Sequence, residues 1–244
     1  MHVFRSHTLQ IACAAVFLAA GTQVALSATL CVNHAGSGGC YSTIQNAVNH
    51  AAASDIINVA AGTYKEDVVI SHPVSLIGAG PKASLIDARG LDNGIFVDGY
   101  HNPGLSHVII DGFTVKNAQY EGILVVSAFD VTIRNNYVYS NDAFGPQFSS
   151  APTGCPGQPA FETSETGDCG GGIHLIGTSG SIVIGNQVTY NADGILLSDE
   201  TAETRDNLIT QNLVEYNGPA CGITLASHAP VGSAPPPSWW CCSS

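Results

Sequence analysis

Six acidic and imidazole side chains sit where their types and spacing allow proton chemistry. The stretch "NADGILLSDE" (191–200) places Asp193, Asp199 and Glu200 around a short apolar run. Asp199 and Glu200 stand five and six residues after Gly194, and Ser227 and His228 stand five and six after Gly222. If the two glycines open equivalent strands of stacked coils, Glu200 and His228 lie about 4.8 Å apart on neighbouring coils. A carboxylate beside an imidazole raises the imidazole's basicity and makes a general acid/base pair. Asp193 and Glu121 each precede a glycine that opens such a strand, so they form an acidic row. His174 stands in a third strand of this kind, and with Glu200 and His228 it completes the catalytic candidates. Glu121, Asp193, Asp199 and Phe96 are candidates for holding substrate. The same residues also suit a plain loop edge, and Asp193-Gly194 is first of all a turn signal.

These residues need elements that repeat, and the chain supplies them. Five segments begin with Gly-Ile, at 94, 122, 172, 194 and 222, separated by 28, 50, 22 and 28 residues. The long gap equals a short plus a long spacing, so a degraded coil start is expected near 144, at "AFGPQF". Each Gly-Ile segment except the last is followed by two more short apolar alternations, such as "VTIRNN" and "NYVYSN". Three short strands per coil of about 22–28 residues describe an all-β, right-handed parallel β-helix, in which stacked coils share one core. Ile95, Ile123, Ile173, Ile195 and Ile223 should point inward. Phe96, Leu124, His174, Leu196 and Thr224 should point outward, followed by Asp98, Val126, Ile176, Ser198 and Ala226. Asn117, Asn141, Asn191 and Asn217 recur at one place and predict an asparagine ladder.

The N-terminal part predicts a capping α-helix. Ser42 stands three residues before Gln45, a capping-box spacing, and Ile44, Ala47, Val48 and Ala51 mark one apolar face. Residues 1–27 read as a secretory signal peptide, with a twelve-residue apolar run and small residues Ala25 and Ser27 before the cleavage point. The expected location is therefore secreted or periplasmic, with no membrane segment after cleavage. Residues 28–228 form the β-helix domain. Its insertion at 144–171 is expected to fold over the outward row and shield Leu124, Ile176 or Leu196. Residues 229–244, with three prolines, Trp239-Trp240 and Cys241-Cys242, are an irregular tail that reads as a truncation or frame disruption. An uncapped last coil would favour self-association; the alternative is that the two tryptophans fold back as a small cap.

Composition removes several function classes. A formal net charge of −12 opposes nucleic acid and anionic surfaces. Export makes disulfides plausible, and Cys31–Cys40 and Cys155–Cys169 are the best-placed pairs. No C-x-x-C spacing points to zinc. No cofactor is called for. Ca²⁺ would suit the acidic row, but too few carboxylates cluster to claim a site.

The run "STIQNAVNHAAASDIINVAAGTYKEDVVISHPVSLIGAG", followed by G-I-x-[LV] coils, resembles right-handed parallel β-helix proteins of the pectin lyase-like superfamily. Within it, the chain is most similar to the NosD-like and generic bacterial β-helix repeat group, over residues 31–228. The resemblance implies the fold and leaves activity open, because members include lyases, hydrolases, esterases, epimerases and non-catalytic proteins. The signatures of pectinesterases beyond "GTYKEDVVI", of polygalacturonases and of alginate epimerases are missing. No basic residue stands in a Gly-Ile strand, as a pectate lyase would need. The resulting expectation is an exported protein that binds or modifies an extended polysaccharide, as a lyase, hydrolase or epimerase if it is an enzyme. The alternative is a non-catalytic scaffold or NosD-like maturation protein. Copper handling fits that alternative poorly, since the chain's one Met lies in the leader.

Overall fold

The structure is a computed structural model that describes residues 27–142, 170–218 and 222–227. In chain order the elements are β1 (Thr29–Val32), α1 (Ile44–His50), β2 (Asp55–Val59), β3 (Gly62–Tyr64), β4 (Val68–Ile70), β5 (Val74–Gly78) and β6 (Ser84–Asp87). The coils continue with β7 (Ile95–Asp98), β8 (Ile109–Asp111), β9 (Thr114–Lys116), β10 (Ile123–Val126), β11 (Thr132–Arg134) and β12 (Tyr137–Tyr139). After the insertion come β13 (Ile173–Ile176), β14 (Ile182–Ile184), β15 (Gln187–Thr189), β16 (Ile195–Ser198), β17 (Leu208–Thr210), β18 (Leu213–Glu215) and β19 (Ile223–Leu225).

All strand pairs are parallel and join strands one coil apart. The first sheet runs β1-β2-β5-β8-β11-β14-β17, the second β4-β7-β10-β13-β16-β19, and the third β3-β6-β9-β12-β15-β18. The inward row Ile95, Ile123, Ile173, Ile195 is buried, as are Val97, Val125, Leu175 and Leu197 behind it. At the last described coil the same places, Ile223 and Leu225, are exposed. The irregular tail lies outside the described residues.

The corner before the second sheet explains the repeated Gly-Ile. A Cβ on Gly122 would lie 2.6 Å from the Gly172 carbonyl oxygen and 2.5 Å from Val138 Cγ1. On Gly172 it would lie 2.7 Å from the Gly194 oxygen and 2.3 Å from Val188 Cγ1. The glycine is required by close approach of the next coil and of the third sheet's core valine, not by a positive φ.

Three sequence expectations are corrected. First, β10 pairs directly with β13, β11 with β14 and β12 with β15, so Gly122 and Gly172 open adjacent coils. No coil stacks between them, so the expected extra coil start is replaced by an insertion between β12 and β13, of which 143–169 lie outside the described residues. Secondly, the ladder is formed by Asn141, Asn191 and Asn217, without Asn117. Asn191 Oδ1 accepts from the backbone and side-chain nitrogens of Asn141, both at 3.0 Å, and Asn217 Oδ1 does the same for Asn191. Asn141 Oδ1 in turn accepts from the Ala118 N–H, so Ala118 holds the ladder position in its coil. Asn117 stands one place earlier with Ser140, Tyr190 and Tyr216, all at φ of 54–62°. It makes the left-handed turn and binds Asp87. A second ladder, Asn136–Asn186–Asn212, runs along the turn before the third sheet. Thirdly, the cap of α1 is Thr43, whose hydroxyl accepts from Asn46 N–H at 3.2 Å, and Ser42 precedes it.

Gln45 and Glu66 attach the helix to the barrel of coils. Glu66 takes the Ile44 and Gln45 N–H groups, two donors that a helix start leaves open. The Gln45 amide pairs with both backbone groups of Val69, at 2.7 and 3.1 Å. Because β4 ends the second sheet, this amide stands where another strand would bind and protects the edge. Ile44, Ala47 and Val48 are buried as expected, and Ala51 packs partly buried against the same core. The Cys31–Cys40 disulfide is formed; Cys155 and Cys169 lie outside the described residues. No described helix is long and apolar enough to cross a membrane.

Replacing Asn186 by Ala removes the acceptor of two Asn136 nitrogens and the donor to the Ile133 carbonyl. It should cost about 2–4 kcal/mol, whereas Asn117→Gly, which keeps the left-handed turn, should cost under about 1 kcal/mol. Denaturant unfolding compares them, and equal losses would remove the ladder assignment. A second expectation concerns Asp67, just before β4. Burial, aided by the Asp92 charge, pushes its pKa up to about 6, against a lowering hydrogen bond from Asn93 N–H. The folded state thus holds this proton more tightly than the unfolded chain. Asp67's contribution is present at low pH and is lost as pH rises from about 4 to about 6. Discounted for solvent screening, the loss is on the order of 1 kcal/mol. Asp67→Asn should flatten that part of the stability curve in melts taken between pH 4 and 7.5. A loss as steep as in the parent chain would assign it to other groups.

Candidate functional site

The outer face of the second sheet carries the two expected rows in the expected register. Phe96, Leu124, His174, Leu196 and Thr224 pair in sequence, and Asp98, Val126, Ile176 and Ser198 lie beside them. The apolar members are covered. Leu124, Val126 and Ile176 cluster with Tyr120, Phe96 packs against them, and Leu196 is buried as well. The expected cover, residues 144–171, lies outside the described residues except for 170 and 171.

A polar chain crosses this face. His174 Nδ1 lies 2.9 Å from Glu121 Oε1, and Nε2 lies 2.8 Å from Ser198 Oγ. The other Glu121 oxygen accepts the Gly171 N–H at 2.7 Å. Ser198 Oγ donates to Glu200 Oε2. Glu121, His174 and Ser198 are each 1% exposed, while Glu200 is half-buried. The chain therefore runs from an interior carboxylate, through imidazole and hydroxyl, to a carboxylate that reaches the surface. Burial of such groups is tolerable only because each finds a partner.

Stacking explains how they meet. Glu121 precedes β10, His174 lies in β13 and Ser198 ends β16, so each comes from the next coil along the axis. The imidazole bridges its two neighbours diagonally. Glu121 occupies the register place of Gly171 and Asp193. A Cβ on Gly171 would lie 2.8 Å from Asp193 Cβ and the Asp193 carbonyl oxygen, so this place needs a glycine.

Several sequence candidates come together here and others do not. His174, Glu121 and Glu200 share the chain. Asp193 belongs to the same acidic row, but it is 4% exposed and Glu121 is 1% exposed, so the row is interior and does not rim a shallow groove. Asp199 lies at the edge, where its carboxylate accepts the Ser227 hydroxyl at 3.1 Å. Phe96 contributes apolar cover. His228, proposed to stack with Glu200, lies outside the described residues. Ser198 was placed in the outward row without a role; the signal was its position one coil beyond His174 and diagonal to it. Among the described residues, no three His, Cys, Asp or Glu side chains converge as a metal-holding group.

A second feature was missed at the sequence level. Tyr190 and Tyr216 are 61% and 69% exposed, and their rings stack 5.3 Å apart with an interplanar angle of 9°. They hold the left-handed position that Ser140 and Asn117 hold one and two coils earlier. The stack thus ends over a small side chain, and among the described residues no ring stands behind the other face of Tyr190. On the adjoining third sheet Tyr137 and Tyr139 stack at 4.5 Å, with Lys116 Nζ 5.8 Å from the Tyr139 ring centre. The recurring "VYSN", "VTYN" and "VEYN" endings carried this signal.

Comparison with known proteins places the chain. No curated protein sequence matches it. Two solved structures align with it. One is a pectin methylesterase variant in complex with hexasaccharide IV, 12% identical, with a TM-score of 0.40, covering 72% of this chain and 56% of the other. The second is a pectin methylesterase in complex with hexasaccharide VII, 11% identical, with a TM-score of 0.40, covering 84% and 68%. This chain thus spans little more than half the length of the first. A family model described as "Right handed beta helix region" matches residues 86–233. With its three parallel sheets wound from successive coils, the chain belongs to the right-handed β-helix family.

Proposed function

We infer that this protein is exported and binds an extended, uncharged polysaccharide along the helix axis. The observation that carries the reading is the exposed Tyr190–Tyr216 stack, beside Tyr137, Tyr139 and Lys116. Tyrosine offers a rigid apolar face and a hydroxyl at little conformational cost, which suits a ligand with an apolar ring face and polar edges. The Tyr190–Tyr216 pair spans two successive coils and Tyr137 and Tyr139 stand on the coil before, so the aromatic surface runs along the helix axis as a glycan chain would. A net charge of −12 disfavours uronate polymers unless a cation bridges them. Binding alone needs no chemistry, so this reading also accommodates a non-catalytic role.

Affinity electrophoresis through gels containing xylan, galactomannan or β-glucan tests it, with pectin and alginate as charged comparisons. Retardation is expected in at least one neutral polymer. Tyr190→Ala with Tyr216→Ala should weaken it at least tenfold with little change in melting temperature. Unaltered retardation of that variant would dismiss the tyrosine surface; no retardation in any gel would dismiss the polysaccharide reading itself.

A further inference from the structure

We propose that Ser198, His174 and Glu121 form an acyl-ester hydrolysing triad, with Ser198 as nucleophile, His174 as base and Glu121 as the residue that positions the imidazole. Its natural substrate as an O-acyl group on a polysaccharide rests on the binding reading above; the triad itself does not. The geometry is the argument. A triad needs a carboxylate on one imidazole nitrogen and a hydroxyl on the other, within hydrogen-bond reach, and the distances here are 2.9 and 2.8 Å. It also needs the carboxylate held still, and the Gly171 N–H does this at 2.7 Å. With Nδ1–H donating to Glu121, Nε2 is left to face Ser198 and can accept its proton. Such a constellation is identified by roles and distances, independent of the order in the chain.

Glu200 decides whether the hydroxyl is free to react. In the resting arrangement the single Ser198 proton is donated to Glu200, so Nε2 is itself protonated and donates to Oγ. Glu200 is half-buried, Ser198 1% exposed, so the side chain bonded to Ser198 is the one that reaches outward. A substrate that displaces Glu200 as the neutral acid, its proton coming from Ser198 Oγ and being replaced there by the Nε2 proton, leaves His174 Nε2 as the acceptor. Ser198 Oγ then attacks the ester carbonyl carbon while its proton passes to Nε2. The tetrahedral intermediate collapses, the C–O bond to the sugar breaks, and the departing oxygen takes that proton from His174. Water attacks the acyl-serine with a second proton transfer to Nε2. Release of the carboxylic acid returns the proton to Ser198 Oγ. No oxidant, reductant or further co-reactant is required.

The full chain is tested with a small fluorophosphonate probe and with p-nitrophenyl acetate, neither of which needs the glycan surface. Peptide mapping should locate the label on Ser198. Ser198→Ala should abolish labelling and bring ester turnover to background, and His174→Asn should lower both at least a hundredfold. Glu200→Ala should raise the labelling rate severalfold, because the hydroxyl loses its competing acceptor. Glu121→Gln should lower kcat at least tenfold at similar KM and move the ascending limb of the pH–rate profile to lower pH, because the imidazole loses its stabilising charge. Thermal melts identify any variant that fails to fold; wild type and Glu200→Ala decide the matter without the others. Absence of Ser198 labelling in both of these overturns the triad, as does full ester turnover by folded Ser198→Ala. Slower labelling in Glu200→Ala would make Glu200 the base and overturn the role of His174. Labelled Ser198 in a chain that binds no polysaccharide leaves the triad standing and removes only the glycan substrate; glycan binding without labelling does the reverse.

Discussion

Everything in this molecule depends on coils stacking in strict parallel register. Each strand hydrogen-bonds to its counterpart one coil away, so a residue's neighbours are set by its equivalents along the axis. The close contact of Gly94, Gly122, Gly172 and Gly194 with the next coil's carbonyl sets the tightest limit. An alanine there would push successive coils apart just where the valines of the third sheet fill the corner. Asparagine ladders hold the turns to the same spacing, since each amide satisfies both a backbone donor and a backbone acceptor of the coil before it.

That register also assembles the polar chain on the second sheet. Outward positions on a parallel sheet stack like on like, and the usual result is an apolar strip such as Phe96–Leu124. Where His174 and Ser198 interrupt the strip, burial becomes expensive unless the polar atoms pair. The imidazole spans two coil spacings and meets Glu121 on one side and Ser198 on the other. Leu124, Val126 and Ile176 keep the surroundings apolar, which strengthens each of these bonds. The arrangement holds charge and proton-transfer groups away from water, and Glu200 connects them to the surface.

Much of this architecture is legible in the sequence. Inward and outward rows followed from two-residue alternation after each Gly-Ile, and the observed pairs agree residue for residue. Cys31–Cys40 followed from a short glycine-rich loop between two cysteines in a chain expected to be exported. The errors came where local and long-range signals look alike. Ser42 and Thr43 are both good caps, and only the Glu66 carboxylate, twenty-odd residues away, selects which N–H groups open the helix. Asn117 resembles the ladder asparagines because it ends an equivalent segment, yet the third-sheet register places Ala118 there. The gap of 50 residues suggested a hidden coil because its length equals two spacings; direct β10–β13 pairing shows one coil with an insertion.

By itself, the sequence determined the architecture: the period, the three strands per coil, the capping helix and which side chains face the core. These follow from periodicity and from glycine's lack of a Cβ, both local properties written into consecutive residues. Only the tertiary structure decided which polar groups meet. Glu121, His174 and Ser198 are 53 and 24 residues apart, and the insertion hides how many coils lie between the first two. Their contact depends on the count of coils, on side-chain direction across the sheet and on burial that forces each atom to find a partner. Residue type marked them as capable of chemistry, but stacking brought them within hydrogen-bond distance.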